Sequence, residues 1–142
     1  MFKVPVDGGD PQLIVEGEAL NPEWSPDGKM IVYSGEQVAA VSPLKAVDPE
    51  GNPIDLPDIQ VWRGGERYRF LPDGSALVFM QGQPARDFEL LDLETMERRV
   101  LTRFEETVTM RTFDITPDGR SILFDRLYEN SDIVLIELDP EW

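Results

Sequence analysis

The sequence has 142 residues, of which 28 are Asp or Glu and 13 are Lys or Arg, and its formal net charge at pH 7 is −15. This charge opposes binding to nucleic acid and to anionic lipid, and it favours basic protein surfaces or cations as partners, although acidic surfaces more often serve only solubility. The chain contains no Cys and no His, which excludes disulfides, thiolate nucleophiles, His-containing catalytic triads and most zinc sites.

The N-terminal residues predict a β-hairpin. Residues 2–6 and 11–15 have the composition of short strands, and the Asp-Gly-Gly-Asp segment between them is typical of a tight turn. This N-terminus has no basic segment followed by a long apolar run, and no stretch of the chain has the length of a membrane span. We therefore expect neither a signal peptide nor membrane insertion in this chain.

A motif of ten residues then occurs three times, beginning at Trp24, Phe70 and Ile115. In each copy an apolar residue ends a strand, Pro starts a turn, Asp bonds to nearby amides, Gly takes the left-handed corner, and a second apolar strand follows. The predicted turn residues are Pro26, Asp27, Gly28, Pro72, Asp73, Gly74, Pro117, Asp118 and Gly119.

The spacing of the motif predicts the fold class. The three copies lie about 45 residues apart, which is the repeat length of a β-propeller blade with four antiparallel strands. With the strands of a blade labelled A to D from the axis outward, residues 2–18 supply strands C and D of an incomplete blade. Complete blades are expected at 19–65 and 66–108, and 109–142 is expected to form a blade without strand D.

Within these blades the predicted strands follow the motif. They span residues 19–25, 29–34, 37–47 and 53–56 in the first blade, 67–71, 76–80, 87–93 and 98–103 in the second, and 110–116, 121–125 and 132–138 in the third. Residues 57–65 are expected to be an irregular link, with Ile59, Val61 and Trp62 packed inward.

Three blades do not close a ring, because propellers have at least about four. Either two copies associate into a six-bladed ring as a homodimer, or the chain supplies half of a longer propeller whose other blades are needed for closure. Strands 2–6 and 132–138 would compete for one place in a dimer, which favours the longer propeller.

The Ser-Pro-Asp-Gly-Lys turn resembles the WD40-like repeats of bacterial TolB-type propellers, and the likeness extends over nearly the whole chain. The stretches 67–74, 112–119 and 129–136 are similar to the C-terminal blades of propellers appended to bacterial Ser/Thr kinases and winged-helix regulators. This resemblance implies a sensor or interaction module, and a periplasmic or extracytoplasmic place if the chain belongs to a larger protein.

The candidate binding residues come from the loops that propellers gather at one mouth of the central channel. They are Glu23, Arg67, Arg69, Arg111, Asp114, Arg126 and Tyr128. Three of these arginines, Arg67, Arg69 and Arg111, would suit the binding of a carboxylate or phosphate by paired hydrogen bonds. The alternative is that Arg69 pairs with Glu23 or Asp114 across neighbouring A strands, because charges near a buried axis are usually paired.

Other patterns have simpler structural explanations. The turn aspartates form no calcium-loop motif, and the acidic group at Asp48, Glu50, Asp55 and Asp58 is typical of a solvated loop. Trp24 occupies the motif position of Phe70 and is expected in the core between blades. We therefore expect no catalytic residue, metal ion or cofactor.

These observations favour a non-catalytic module for protein interaction or ligand sensing within a larger bacterial signalling protein. The alternative is enzymatic: the accessory gating propeller of a hydrolase of the prolyl oligopeptidase type, or a glycosidase or lyase that uses carboxylates. The chain has no Gly-x-Ser-x-Gly motif, which the hydrolase would need elsewhere in a parent protein.

Overall fold

The computed structural model describes residues 1–62, 67–105 and 109–127, and every regular element in these ranges is a β-strand. In chain order the strands are β1 (Phe2–Lys3), β2 (Gln12–Leu13), β3 (Leu20–Trp24), β4 (Ile31–Ser34), β5 (Val41–Val47), β6 (Pro53–Ile54), β7 (Gln60–Trp62), β8 (Tyr68–Phe70), β9 (Ala76–Gln81), β10 (Asp87–Asp92), β11 (Arg98–Val100), β12 (Phe113–Ile115) and β13 (Ile122–Phe124). Within these ranges no helix is long and apolar enough to cross a membrane.

The strands form separate antiparallel sheets in the predicted order. Blade one is the sheet β3-β4-β5-β6, blade two is β8-β9-β10-β11, and blade three is represented by the pair β12-β13. The hairpin β1-β2 forms a further sheet before blade one. The third strand expected in blade three, at 132–138, lies outside the described residues.

Blade one departs from the prediction at its outer edge. Residues 57–65 were expected to be irregular, but β7 pairs with the first half of β5 while β6 pairs with its second half. The seven-residue β5 is long enough to pair with two short strands in succession. The expected inward packing is present, because Ile59 and Val61 are both buried.

Strand β5 also begins later than predicted. The sequence suggested a start at residue 37, whereas the strand begins at Val41. The backbone groups of Val38 and Val41 exchange hydrogen bonds across a tight turn, in which Ala39 has a φ of 56°. Residues 37–40 therefore precede the strand, with Ala39 and Ala40 in the turn.

The hydrophobic core is divided into layers that lie between successive sheets. The central layer joins blades one and two and contains Val32, Leu44, Phe70, Leu77 and Phe79 among its buried residues. A second layer joins blades two and three, and a smaller third layer joins blade one to the N-terminal hairpin. Burial between sheets is thus the main apolar contribution to stability, at about 25 cal/mol per Å² of buried apolar surface.

The three motif turns share one hydrogen-bonding pattern. Gly28, Gly74 and Gly119 have φ values of 71°, 74° and 68°, and each donates its N–H to the carbonyl three residues earlier. The Asp of each turn accepts the N–H two residues later. Hydrogen bonds from the Ser25 hydroxyl, the Ser75 N–H and the Thr116 hydroxyl are the largest causes that lower the pKa of these carboxyl groups.

Trp24 does not lie in a closed core. It is 47% exposed, whereas Phe70 at the same motif position is 7% exposed. Phe70 packs against the complete blade one, but Trp24 faces only the two-stranded hairpin β1-β2. The expectation that Trp24 lies in a core between blades is therefore not met within a single chain, because the hairpin before blade one is not a full sheet for it to pack against.

Replacement of Gly74 by Val should destabilise the protein by about 1–2 kcal/mol, because a β-branched residue resists positive φ. A Cβ at this position would meet the Pro26 ring only at ordinary contact distance, so the cost should come from the backbone. Gly74→Asn is the matched control and should cost less, since Asn tolerates this conformation. Urea unfolding measures both; equal losses would contradict the positive-φ assignment.

Candidate functional site

The inner strands of the three blades carry charged residues at one equivalent position. Glu23 in β3, Arg69 in β8 and Asp114 in β12 each precede the apolar residue that begins the motif. The sign of the charge alternates from one blade to the next. This row lies where the predicted channel mouth should be.

Glu23 and Arg69 form an ion pair between blades one and two. The Arg69 Nη1 atom lies 3.1 Å from the Glu23 Oε2 atom, and the two side chains are about a quarter exposed, at 26% and 21%. The other carboxylate oxygen of Glu23 accepts the backbone N–H of Phe70 at 3.0 Å. The structural alternative proposed for Arg69, a pair with Glu23, is thus the arrangement that the molecule adopts.

Tyr68 provides a second connection between the same two blades. Its buried hydroxyl lies 2.6 Å from the carbonyl oxygen of Asn21 and 3.3 Å from the Ser34 Oγ atom. Burial is the main cause that raises the pKa of Tyr68 to about 12. The acceptor carbonyl becomes accessible because Asn21 has a φ of 51° at an irregularity in the pairing of β3 with β4.

Arg67 connects blade two to blade three. Its side chain is buried, with a relative exposure of 2% for the residue, and its Nη1 atom donates to the carbonyl oxygens of Met110 and Arg111. The guanidinium also lies over the Trp62 ring, 5.4 Å from its centroid. Burial lowers the pKa of Arg67, with Asp125 opposing that shift and Arg111 adding to it.

Two pockets open between adjacent inner strands. The first has a volume of about 410 Å³ and is lined by Asn21, Pro22, Glu23, Arg67, Tyr68 and Arg69. The second has a volume of about 400 Å³ and is lined by Arg69, Thr112, Phe113, Asp114, Leu123, Phe124 and Asp125. Arg69 therefore borders both pockets, and the structure brings four of the predicted site residues together: Glu23, Arg67, Arg69 and Asp114.

The remaining predicted residues are placed differently. Arg111 is exposed, and its backbone N–H donates to the Asp125 Oδ1 atom at 2.8 Å. Arg126 is exposed as well, with its guanidinium 5.7 Å from the centroid of the Phe104 ring. Tyr128 lies outside the described residues.

Two residues of this region were missed in the sequence. Tyr68 occupies the position of Pro22 in the first repeat and Phe113 in the third, so only its hydroxyl distinguishes it from a core residue. Asp125 follows β13 and accepts the backbone N–H groups of Arg111 and Thr112. A carboxylate directly after the apolar strand Ile122–Phe124 was the available signal for Asp125.

The acidic group at Asp48 has a local structural role. The Asp48 carboxylate accepts N–H groups of Glu50 and Asn52 and closes the turn after β5. The Asn52 side-chain amide also donates to this carboxylate. That bond is the largest cause that lowers the pKa of Asp48, and the backbone N–H bonds add to it. In the described ranges no group of three or more acidic side chains is arranged to hold a metal ion.

No protein-family model matches the chain, and no curated protein matches it. Among solved structures, a candidate TolB protein from Agrobacterium tumefaciens matches with a TM-score of 0.65 and 18% identity, over 89% of this chain and 45% of that one. The fold is that of a TolB-like β-propeller. The predicted all-β propeller class is thereby confirmed, and the chain spans less than half of the matched propeller's length.

The raised pKa of Tyr68 predicts a loss of stability at high pH. The folded protein keeps the phenol protonated up to about pH 12, so the free energy of unfolding should fall by about 2 kcal/mol as the pH rises from about 10 to about 12. Urea unfolding across this range measures the effect, and Tyr68→Phe is the control that should show a shallower decline. Equal declines in both proteins would contradict this role of Tyr68.

The ion pair between Glu23 and Arg69 should contribute measurably to stability. A double-mutant cycle with Glu23→Gln and Arg69→Gln is expected to give a coupling of about 1 kcal/mol, because the pair is only partly screened by solvent. The exposed pair of Lys29 and Asp27, at 3.2 Å, serves as control and should show no measurable coupling. If both cycles gave the same result, the inter-blade role of Glu23 would be refuted.

Proposed function

We propose that this TolB-like propeller is a non-catalytic module that binds a protein partner at the channel mouth. The observation that carries the proposal is the pair of adjoining pockets beside the inner strands, which share Arg69. Each has a volume within the usual range for ligand sites, from about 300 to 1,000 Å³. Charged side chains contribute to the lining of both pockets.

The exposed part of the mouth is the better candidate for contact with the partner. Glu23, Arg67 and Arg69 hold neighbouring blades together, so their charged groups are already engaged within the protein. Asp114 is exposed at the edge of the second pocket. Because the whole chain has a net charge of −15, we propose a partner segment rich in Lys and Arg.

We also propose that this binding module has a role in signalling. Its support is the resemblance of the motif stretches to the propellers appended to bacterial Ser/Thr kinases and winged-helix regulators. A propeller in that setting provides a binding surface, whose occupancy another domain would report.

The test uses immobilised peptides of matched length and opposite net charge. Basic peptides should bind to the purified chain, and Asp114→Lys should weaken that binding at least tenfold, which corresponds to about 1.4 kcal/mol. Glu94→Lys is the matched control, because Glu94 is equally exposed but lies in the turn between β10 and β11. It changes the net charge by the same amount and should leave binding unchanged.

Two results would contradict the proposal. Equal weakening by both substitutions would show that binding depends on overall charge and not on the channel mouth. Turnover of a peptide or glycoside substrate by the purified chain would show that the module is catalytic.

A further inference from the structure

An apolar residue is exposed on the outer face of blade three, although the equivalent residues of blades one and two are buried. Val32, Val78 and Leu123 each lie four residues after the turn glycine of their repeat. Val32 and Val78 are 0% and 1% exposed, because the next blade covers them, whereas Leu123 is 74% exposed. The repeat therefore identifies Leu123 as the contact point for a further blade.

At the other end of the row of blades, blade one also exposes an apolar residue whose equivalent in blade two is buried. Trp24 is 47% exposed at the position where Phe70 is 7% exposed. Beside Trp24 lies a pocket of about 470 Å³, lined mainly by the hairpin β1-β2: Phe2, Lys3, Val4, Pro5, Asp10, Gln12 and Trp24. Phe2 and Val4 are themselves 66% and 56% exposed.

The two exposed faces carry the two kinds of residue that meet between successive blades elsewhere in the molecule. Val32 belongs to the same apolar layer as Phe70, and Val78 shares a layer with Ile115. Each layer thus joins the Val position of one blade to the motif-initial residue of the next. By this rule the residue that should cover Leu123 is one at the position of Trp24.

The strand inventory is complementary as well. The described part of blade three supplies the inner strands β12 and β13, and the sequence predicts that the N-terminal hairpin β1-β2 is the outer pair of a blade. Placed side by side, the two pairs would give four strands, as in β8-β9-β10-β11.

We propose that a second copy of this chain covers both faces. Leu123 of each copy packs against Trp24 of the other, and two such interfaces close a ring of six blades with two-fold symmetry. One chain matches 45% of the length of the solved TolB chain, and a second copy would supply about as much again. A closed ring buries the end faces that a half ring leaves exposed.

The proposed ring completes the channel. A single chain contributes Glu23, Arg69 and Asp114 to the inner row, and the second copy contributes the same three residues to the other half. At each closing interface Asp114 of one copy neighbours Glu23 of the other, so the second pocket, whose lining includes Leu123, would lie between the two copies in the proposed ring. Since each chain also has a net charge of −15, association should become tighter as salt screens the repulsion.

The proposal rests on the contact between Leu123 and Trp24 and not on the identity of the strand beside β13. The strand predicted at 132–138 lies outside the described residues, and it competes only for the place next to β13. Blades of a longer parent chain are the other occupants that would cover these faces, and the experiment distinguishes them from a second copy.

Cross-linking tests the contact directly, because the natural chain contains no Cys. Single-cysteine chains Leu123→Cys and Trp24→Cys are mixed and oxidised, and a disulfide-linked dimer should form at least tenfold faster than in either chain alone. Mixing Val100→Cys with Trp24→Cys is the control, because Val100 is exposed on the outer strand β11. Equal yields in the two mixtures would overturn the proposed contact.

Light scattering across a dilution series measures the assembly itself. The natural chain should have twice its monomer mass of 16.1 kDa, and Leu123→Asp should reduce it to a monomer while Val100→Asp leaves the dimer intact. Leu123 is already exposed in the single chain, so this substitution should not impair folding. A natural chain that is folded but monomeric at about 100 μM, or a dimer that survives Leu123→Asp, would overturn the proposal; the former would favour a longer parent chain.

Discussion

The structure depends on apolar layers that lie between successive sheets. A blade has two apolar faces, and neither can be buried within the blade itself, so each sheet is stabilised by the sheet before it and the sheet after it. The layer between blades one and two is the most complete, because both of its sheets are present. Where a neighbouring sheet is incomplete, as beside Trp24, the apolar surface remains open to solvent.

Polar contacts at the inner strands determine how neighbouring blades are aligned. Glu23 pairs with Arg69, Tyr68 bonds to Asn21, and Arg67 reaches the carbonyl groups of the third blade. These contacts span blade boundaries at the place where the sheets converge on the axis. The charged residues that would first be assigned to ligand binding therefore hold the scaffold together.

This division of roles relates the fold to its proposed function. The buried and paired groups hold neighbouring inner strands together, while Asp114 and Arg111 are exposed on the third blade. In the proposed function, exposed charges on a surface held by such contacts would suit recognition of a partner, because an ordered surface loses little conformational entropy on binding. In the proposed function, the net charge of −15 would add long-range attraction to a basic partner.

The sequence by itself determined the repeat, the motif turns and the strand order, because these depend on residues close together in the chain. Pro, Asp and Gly specify each turn through local hydrogen bonds and backbone angles. Only the tertiary structure decided which charges are engaged: Arg69 meets Glu23 from another blade, and Arg67 is buried against backbone carbonyls. It likewise decided that residues 60–62 form a strand and that Trp24 is exposed, since pairing and burial depend on which sheet lies alongside.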